Sequence, residues 1–600
     1  MNILQHQSWR LMVVILGFMT YVESVVTNLP FQYTATEASQ LSSQHSSFKA
    51  QDIIHKKENT HDKELLKFLV VNSIDNYYYD VMLRVGSRVQ QLRIDLIQGD
   101  VWVMGMNDFL SCDEIYSWWS SEVSTGTTLP DLATTDAEYT ASICAAGGVY
   151  SAESLSTDVT VPGVPDGEEY FVPYVDTIEA VGEFEKDDIH INSTNGLSVL
   201  LSNFTFLRAY QSSVFAGGLG LAGNPMGSGF LDSLVDKGYI VSPGYSLFFS
   251  NVILEEGSLG ELIPGMVDKK YVDGDFYQFD MLNHTGSFFS NSVEQTALSK
   301  LRLPILNLDS IVLENEKNQR TYTLTSDDGS FPVLLDSRSL YTHLPLDTII
   351  QIAIQTNAYY SNDTDRWIVE CDTIAKANAT FNFHFNDLKI KIPLHSFLLP
   401  ANTGQDQNLT FSNGADACFL SILPSSHDGY SVLGLSFLVY VYLAVDNEGG
   451  KIALGNSNRE LKIEVSDFSF SSVHTVSSTT FKNSSIEATH YSSIAYILSD
   501  TIPFATVATY SSTPTLTFSS MNNATALEVP AKFSGRVKNG HFIVGSSEKT
   551  IPGAESTEAS STKSKNSGSV LIRSEIRLSL KQPLGLILAV CLFMVAIILL

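Results

Sequence analysis

The sequence predicts a mainly β protein built as two lobes, followed by a disordered Ser/Thr-rich stalk. Three observations lead there. From Phe68 to about Phe468 the chain is a run of short apolar stretches broken by Gly, Pro, Asn and Asp. Few stretches have helical period, so the pattern is that of many short strands. Short helices are expected at Phe230 to Gly238 and Leu346 to Asn357. Roughly 400 residues of this pattern call for two β lobes rather than one. The third observation is compositional. From Ser469 to about Lys565 Ser and Thr dominate, as in Ser477-Ser478-Thr479-Thr480 and Ser511 to Thr517. Such a stretch buries no core and reads as an extended, O-glycosylated stalk. Two apolar islands inside it, Ile494 to Leu498 and Phe533 to Val544, are candidate exceptions.

The totals fit this plan. The 600 residues are 44% apolar, enough for large cores. The net charge of -29, from 36 basic and 65 acidic side chains, argues against nucleic acid as a partner. It suits a soluble surface in an acidic medium. Of five cysteines, Cys591 lies in an apolar tail; Cys112, Cys144, Cys371 and Cys418 fall in two well-separated pairs. With no C-x-x-C, zinc and thiol-redox sites are not expected, and two disulfides in an oxidising compartment are. No metal and no cofactor is expected.

The ends carry targeting signals. Met1 to Ser24 holds Arg10, the apolar run Leu11 to Val22 and a cleavable Val22-Glu23-Ser24, a secretory signal. Residues 25–67 are polar and aperiodic; Lys56-Lys57 makes them either a processed propeptide or a plain disordered leader. At the far end, Pro583 precedes an apolar run from Leu584 to Leu600 with nothing polar after it. That is a GPI-attachment signal, with small residues for the linkage at Asn566-Ser567-Gly568-Ser569; a tail anchor is the alternative. Sequons at Asn192, Asn203, Asn283, Asn362, Asn378, Asn408, Asn483 and Asn523 agree with a surface glycoprotein. The expected divisions are therefore signal 1–24, candidate propeptide 25–67, N-terminal lobe 68–252, C-terminal lobe 253–468, stalk 469–566 and anchor signal 567–600.

The chemistry starts at Tyr77 to Gly105. Two strands joined by a turn at Gly86-Ser87-Arg88 end on one acid, Asp95; the apolar strand Val101 to Met104 follows. The second half repeats the idea in Val333-Leu334-Leu335-Asp336. An acid at the end of a buried strand is costly unless it is paired or hydrogen-bonded. Each is therefore either a structural anchor or half of a reaction centre. Two carboxylates from two lobes can share one proton, one activating water while the other polarises a carbonyl.

From here the chain resembles the pepsin-type aspartic endopeptidases over roughly 68–456. Asp95-Leu96-Ile97-Gln98-Gly99-Asp100-Val101-Trp102-Val103 is similar to Asp-Thr-Gly-Ser-Ser-Asp-Leu-Trp-Val. Asp336-Ser337-Arg338-Ser339 is similar to Asp-Ser-Gly-Thr, with Leu344-Pro345 after it. Tyr174-Val175-Asp176-Thr177 through Gly182 keeps the flap spacing. Gly218-Leu219-Gly220-Leu221, Gly265-Met266-Val267-Asp268 and Val432-Leu433-Gly434-Leu435-Ser436-Phe437-Leu438 also match, in the family's order. The signal, stalk and tail point further, to a divergent member of the fungal yapsins. The resemblance implies a bilobal pepsin-like fold and a monomer. It implies Asp95 and Asp336 as the catalytic pair, Tyr174 as the flap residue over substrate, and disulfides Cys112–Cys144 and Cys371–Cys418. It also implies peptide or protein substrates at the plasma membrane or cell wall.

The family pattern breaks at the acids themselves. Ile97 and Arg338 replace both signature glycines, which in the family line the cleft and donate N–H groups to the carboxylates. Leu96 replaces a Thr whose hydroxyl helps lock the loops; Ser337 keeps a hydroxyl on the other side. Gln98 replaces a Ser that orients the first acid, and Ser339 is a stand-in at the second. Arg338 adds a cation that opposes a shared proton. Three functions stay open: a cell-surface aspartic endopeptidase of yapsin type, an inactive pepsin-fold protein binding peptide or wall polymer, and a structural wall mannoprotein.

Overall fold

A computed structural model describes residues 65–73, 78–105, 148–150, 170–173, 179–212, 217–223, 229–254, 257–285, 302–325, 330–401, 408–425, 431–461, 463, 493–508, 516–517, 529–538 and 540–544. The expected fold is found: a mainly β, two-lobed body with short helices. Tyr174, Cys112, Cys144, Asn483, Asn523, Asn566, the signal segment and the apolar tail lie outside the described residues.

One large sheet runs through both lobes. Among the described residues it has fourteen strands. At its middle, Gly244–Leu254 pairs with Gly257–Pro264 on one side and Val441–Asp446 on the other. Strands from the two halves of the chain are thus hydrogen-bonded side by side, with Leu247 opposite Leu443. This join fixes where the two acid loops meet.

The hairpin Asp80–Val85 and Arg88–Asp95 forms as the alternation predicts, closed by Gly86-Ser87, with Arg88 already in the strand. Gly86 has the left-handed φ of +56° that such a turn favours. From Gln90 to Asp95 both faces are buried. Leu92 and Ile94 enter the main core, together with Val101 and Val103 of the next strand. Arg93 and Trp102 occupy the opposite face, where the Arg93 guanidinium stacks over Tyr78 at 4.8 Å and Trp102 at 5.7 Å.

The C-terminal lobe repeats the plan in a five-stranded sheet, where Phe331–Leu335 runs between Ile305–Leu308 and Ser431–Leu433. The two acid strands have the same neighbour. Arg88–Asp95 runs parallel to Gly217–Gly220, and Phe331–Leu335 runs parallel to Ser431–Leu433. Behind each acid loop lies a glycine where no side chain fits. A Cβ on Gly220 would sit 2.4 Å from the Asp100 carbonyl, and one on Gly434 2.2 Å from that of Tyr341. The expected helices form at Phe230–Asp236 and Leu346–Thr356, and Cys371 and Cys418 are bonded at 2.05 Å.

Both apolar islands of the Ser/Thr-rich region fold onto the body. Ile494–Tyr496 pairs with Met266–Asp268, and Thr506–Val507 adds to the edge of the large sheet beside Tyr277 and Gln278. Ile497 and Ile502 are buried. The hairpin Ser534–Lys538 and His541–Val544 joins the C-terminal lobe beside Tyr360 and Ser361. Short apolar runs within a polar region found partners there, as their standing out from the Ser/Thr composition suggested. At the other end, Lys67 is tied down at the edge of the expected propeptide. Its N–H donates to Ser193 Oγ, its carbonyl accepts from Thr194 N–H, and its ammonium lies 3.3 Å from Asp268.

Candidate active site

Asp95 and Asp336 arrive at one buried point. Asp95 is fully buried and Asp336 is 2% exposed. Each loop is tied to the neighbouring strand by a backbone bond of opposite direction: Leu221 N–H donates to the Asp95 carbonyl, and Asp336 N–H donates to the Leu433 carbonyl. Each carboxylate also accepts the N–H of the residue two positions on, Ile97 to Asp95 Oδ1 at 3.1 Å and Arg338 to Asp336 Oδ1 at 2.9 Å. Replacing the two glycines thus leaves these donors in place. Neither Ile97 nor Arg338 adopts a left-handed φ. Gln98 N–H gives Asp95 Oδ1 a further bond at 3.1 Å.

The lock between the loops is half formed, as the residues foretold. The Ser337 hydroxyl donates to the Ile94 carbonyl at 2.6 Å and accepts from Leu96 N–H at 3.2 Å. Across from it, Leu96 is packed in the apolar core. The Gln98 side chain, which replaces the orienting Ser, turns to Asp100 (3.2 Å), so only its backbone serves Asp95. One expectation needs correction. Ser339 donates to the Tyr341 carbonyl at 3.0 Å and does not orient the second acid.

The two bulky replacements part ways. Ile97, expected in the cleft, is 4% exposed and belongs to the main core. Burial of its apolar surface outweighs exposure beside charged groups. Arg338 turns between the acids. Its Nε lies 3.2 Å from Asp336 Oδ1 and 3.7 Å from Asp95 Oδ1, and its Nη2 lies 3.3 Å from Asp336 Oδ2. The side chain has no exposed surface. A guanidinium fork on a buried carboxylate is a strong, directional pair.

The two acids therefore have different surroundings. Burial pushes the Asp95 carboxyl up to about 6. The Arg338 and Arg93 cations oppose this, Asp336 adds to it, and the Ile97 N–H lowers it. Among the described residues Asp95 Oδ2 has no hydrogen-bond partner. Behind it the Tyr245 hydroxyl is buried and makes no hydrogen bond among the described residues. Burial first, and the Asp95 charge second, raise its pKa. Sequence reasoning assigned no role to Arg93 or Tyr245. Arg93 was legible as the cation two residues before Asp95 in an otherwise apolar strand end. Tyr245 was not, since it reaches Asp95 only through strand order.

Residues that carry an acid from each lobe to one buried point, on a sheet the lobes share, define the pepsin-like class of aspartic proteases. A family model of the eukaryotic aspartyl proteases matches residues 76–457, and the chain belongs to that family. Within it the chain is a divergent, yapsin-like member. It is 30% identical over 378 residues to aspartic proteinase yapsin-7 of Saccharomyces cerevisiae, covering 59% of each chain. It is 26% identical over 437 residues to aspartic proteinase MKC7 of the same yeast, covering 65% of this chain and 67% of that one. The chain thus spans about three fifths of the length of the yapsin-7 relative. Among solved structures, an aspartic proteinase from Irpex lacteus aligns with TM-score 0.44 and 16% identity, over 66% of this chain and 98% of that one.

Proposed function

We propose that the protein is an aspartic endopeptidase of yapsin type, acting at the cell surface on peptide bonds of secreted or wall proteins. The observation that carries this reading is the delivery of Asp95 and Asp336 to one buried point by equivalent strand ends, each held by the N–H two residues on. Their environments divide the labour. Asp95, with its raised pKa, is the proton-bearing member in acid and would donate to the substrate carbonyl. Asp336, the ion-paired member, would take the proton of the attacking water. Tyr174 would cover the substrate as flap residue. Anchoring through the 567–600 signal and glycans on the sequons fit this location. The described sequon residues Asn192, Asn203, Asn283, Asn362, Asn378 and Asn408 are all exposed.

One observation favours a second reading, a pepsin-fold protein that binds peptide or wall polymer without cleaving it: the Arg338 guanidinium between the acids. Purified protein incubated at acid pH with unfolded protein substrates separates the two. The first reading expects cleavage that Asp336→Asn abolishes. No cleavage by the wild type, or equal cleavage by the Asn form, sinks it.

A further inference from the structure

We propose that Arg338 is an internal latch on the dyad, a positioning residue that in the state described here holds the two carboxylates closed against the attacking water. The inference rests in part on the peptidase reading above, and it concerns how that site is controlled.

The geometry carries it. A water that two aspartates activate together must accept and donate at one oxygen of each acid. Here the oxygens that face each other already serve other donors. Asp336 Oδ1 takes the Arg338 N–H at 2.9 Å and the Nε–H at 3.2 Å. Asp336 Oδ2 takes Nη2 at 3.3 Å. Asp95 Oδ1 takes the Ile97 and Gln98 N–H groups, both at 3.1 Å, and faces the same Nε at 3.7 Å. Asp95 Oδ2 is the dyad oxygen with no hydrogen-bond partner among the described residues. The Nε–H thus bonds Asp336 Oδ1 at 3.2 Å and faces Asp95 Oδ1 at ion-pair distance, 3.7 Å, so the guanidinium stands between the acids, where the bridging water has to stand.

The cation also changes the charge account. Two carboxylates without a cation resist double ionisation and share a proton. A guanidinium between them removes that need and commits Asp336 to an ion pair. The side chain that does this sits at position 338, where the loop carries a long flexible arm on a backbone with no left-handed φ. The backbone at 338 is therefore one that any residue adopts, and the arm has other rotamers. Opening the latch means turning the guanidinium out of the dyad, at the cost of separating a buried pair. An incoming peptide with an acidic group near the scissile bond supplies the counter-charge that lowers this cost. Substrates with a carboxylate next to the cleaved bond are the class the latch favours.

The test uses the full chain and a peptide whose statine hydroxyl takes the place of the attacking water. Four forms are compared: wild type, Arg338→Gly, Arg338→Met and Arg338→Lys. Met keeps the volume without the charge, and Lys keeps the charge without the fork. The latch predicts that Gly and Met bind the statine peptide about tenfold more tightly or better. They also raise kcat more than they change KM, with Lys closer to wild type. In addition, the wild type prefers substrates with Asp or Glu beside the cleaved bond, and the Gly and Met forms lose that preference. If no form cleaves yet Gly or Met binds the statine peptide more tightly, the latch stands and the peptidase reading falls. If the wild type cleaves and the folded Gly and Met forms neither bind better nor turn over faster, the latch is overturned and the peptidase reading survives. If Gly fails to fold, Met decides. If neither folds, Arg338 is a structural cation and the proposal is wrong.

Discussion

The Asp95 loop and the Asp336 loop are built alike and have drifted in opposite directions. Each follows a strand paired in parallel with a partner that ends near a tightly packed glycine. Each lost its signature glycine. In the first loop the new side chain, Ile97, turned inward and joined the core. In the second, Arg338 turned toward the charges. The first loop gave up its hydroxyl to apolar packing, and the second kept Ser337 and with it the half of the inter-loop lock that forms. The difference teaches that position in a motif does not decide what a replacement does. An apolar side chain is stabilised by leaving the site and a cation by staying, because burial favours the one and ion pairing the other.

The largest expected contrast is between the acids. Asp336→Asn leaves the buried Arg338 with half of its pairing and is expected to cost about 3–5 kcal/mol. Asp95→Asn at acid pH replaces a largely protonated carboxyl by a neutral amide of the same shape, and is expected to change stability by about 1 kcal/mol or less. Urea unfolding of both variants measures this, and equal losses would erase the asymmetry. Next, Ile97→Gly, although it restores the family residue, is expected to cost about 2–5 kcal/mol through the cavity it opens. It should also leave affinity for a statine peptide unchanged. Tighter binding by this variant would mean that Ile97 does face the cleft.

The third contrast is in pH. The folded-state value of Asp95, about 6, lies above its ordinary 3.8. The folded chain therefore holds this proton more tightly than the unfolded chain does. Its contribution is full below the ordinary carboxylate range and is lost as pH rises through about 6. The loss amounts to about 3 kcal/mol. Unfolding free energies across this window should fall in the wild type and flatten in Asp95→Asn; parallel curves would rule the effect out. The smallest effect belongs to the lock. Ser337→Ala strips partners from the Ile94 carbonyl and the Leu96 N–H and is expected to cost about 1–3 kcal/mol. Leu96→Thr, which writes the family residue back, is expected to lose stability rather than gain it, because Leu96 is fully buried in the core. A stabilised Thr variant would show that the second half of the lock can still form.

Much of this was legible in the residues. The alternation before Asp95, the echo before Asp336 and the ordered segments between them specify strands whose register leaves little choice once one face is buried. The surviving hydroxyl of Ser337 predicted a half lock, and the N–H donors to both acids survived because any residue but proline supplies them. The hand of each bulky side chain was not legible. Whether Ile97 and Arg338 face core or cleft depends on the void left by strands far away in the chain. Ser339 failed as a stand-in for the same reason: a hydroxyl takes the nearest partner, and here that partner is the local Tyr341 carbonyl. Tyr245 entered the site through the pairing of Gly244–Leu254 with Val441–Asp446, which nothing within either segment announces.

The strap at 493–508 bears on how the molecule is made. Asp500 N–H bonds the Asp446 carboxylate, Ile502 N–H bonds the Gln278 amide oxygen, and Ile497 N–H bonds the Gly265 carbonyl. All three acceptors are synthesised well before their donors. At ~5–20 residues per second, the ribosome needs roughly 3–12 s to pass from Asp446 to Ala508. For most of that interval, once Lys451–Ser457 is made, every other described strand of the large sheet is already spelled out, yet the edge beside Tyr277 and Gln278 waits unpaired. The last described strand of that sheet to be translated is the one that covers this edge.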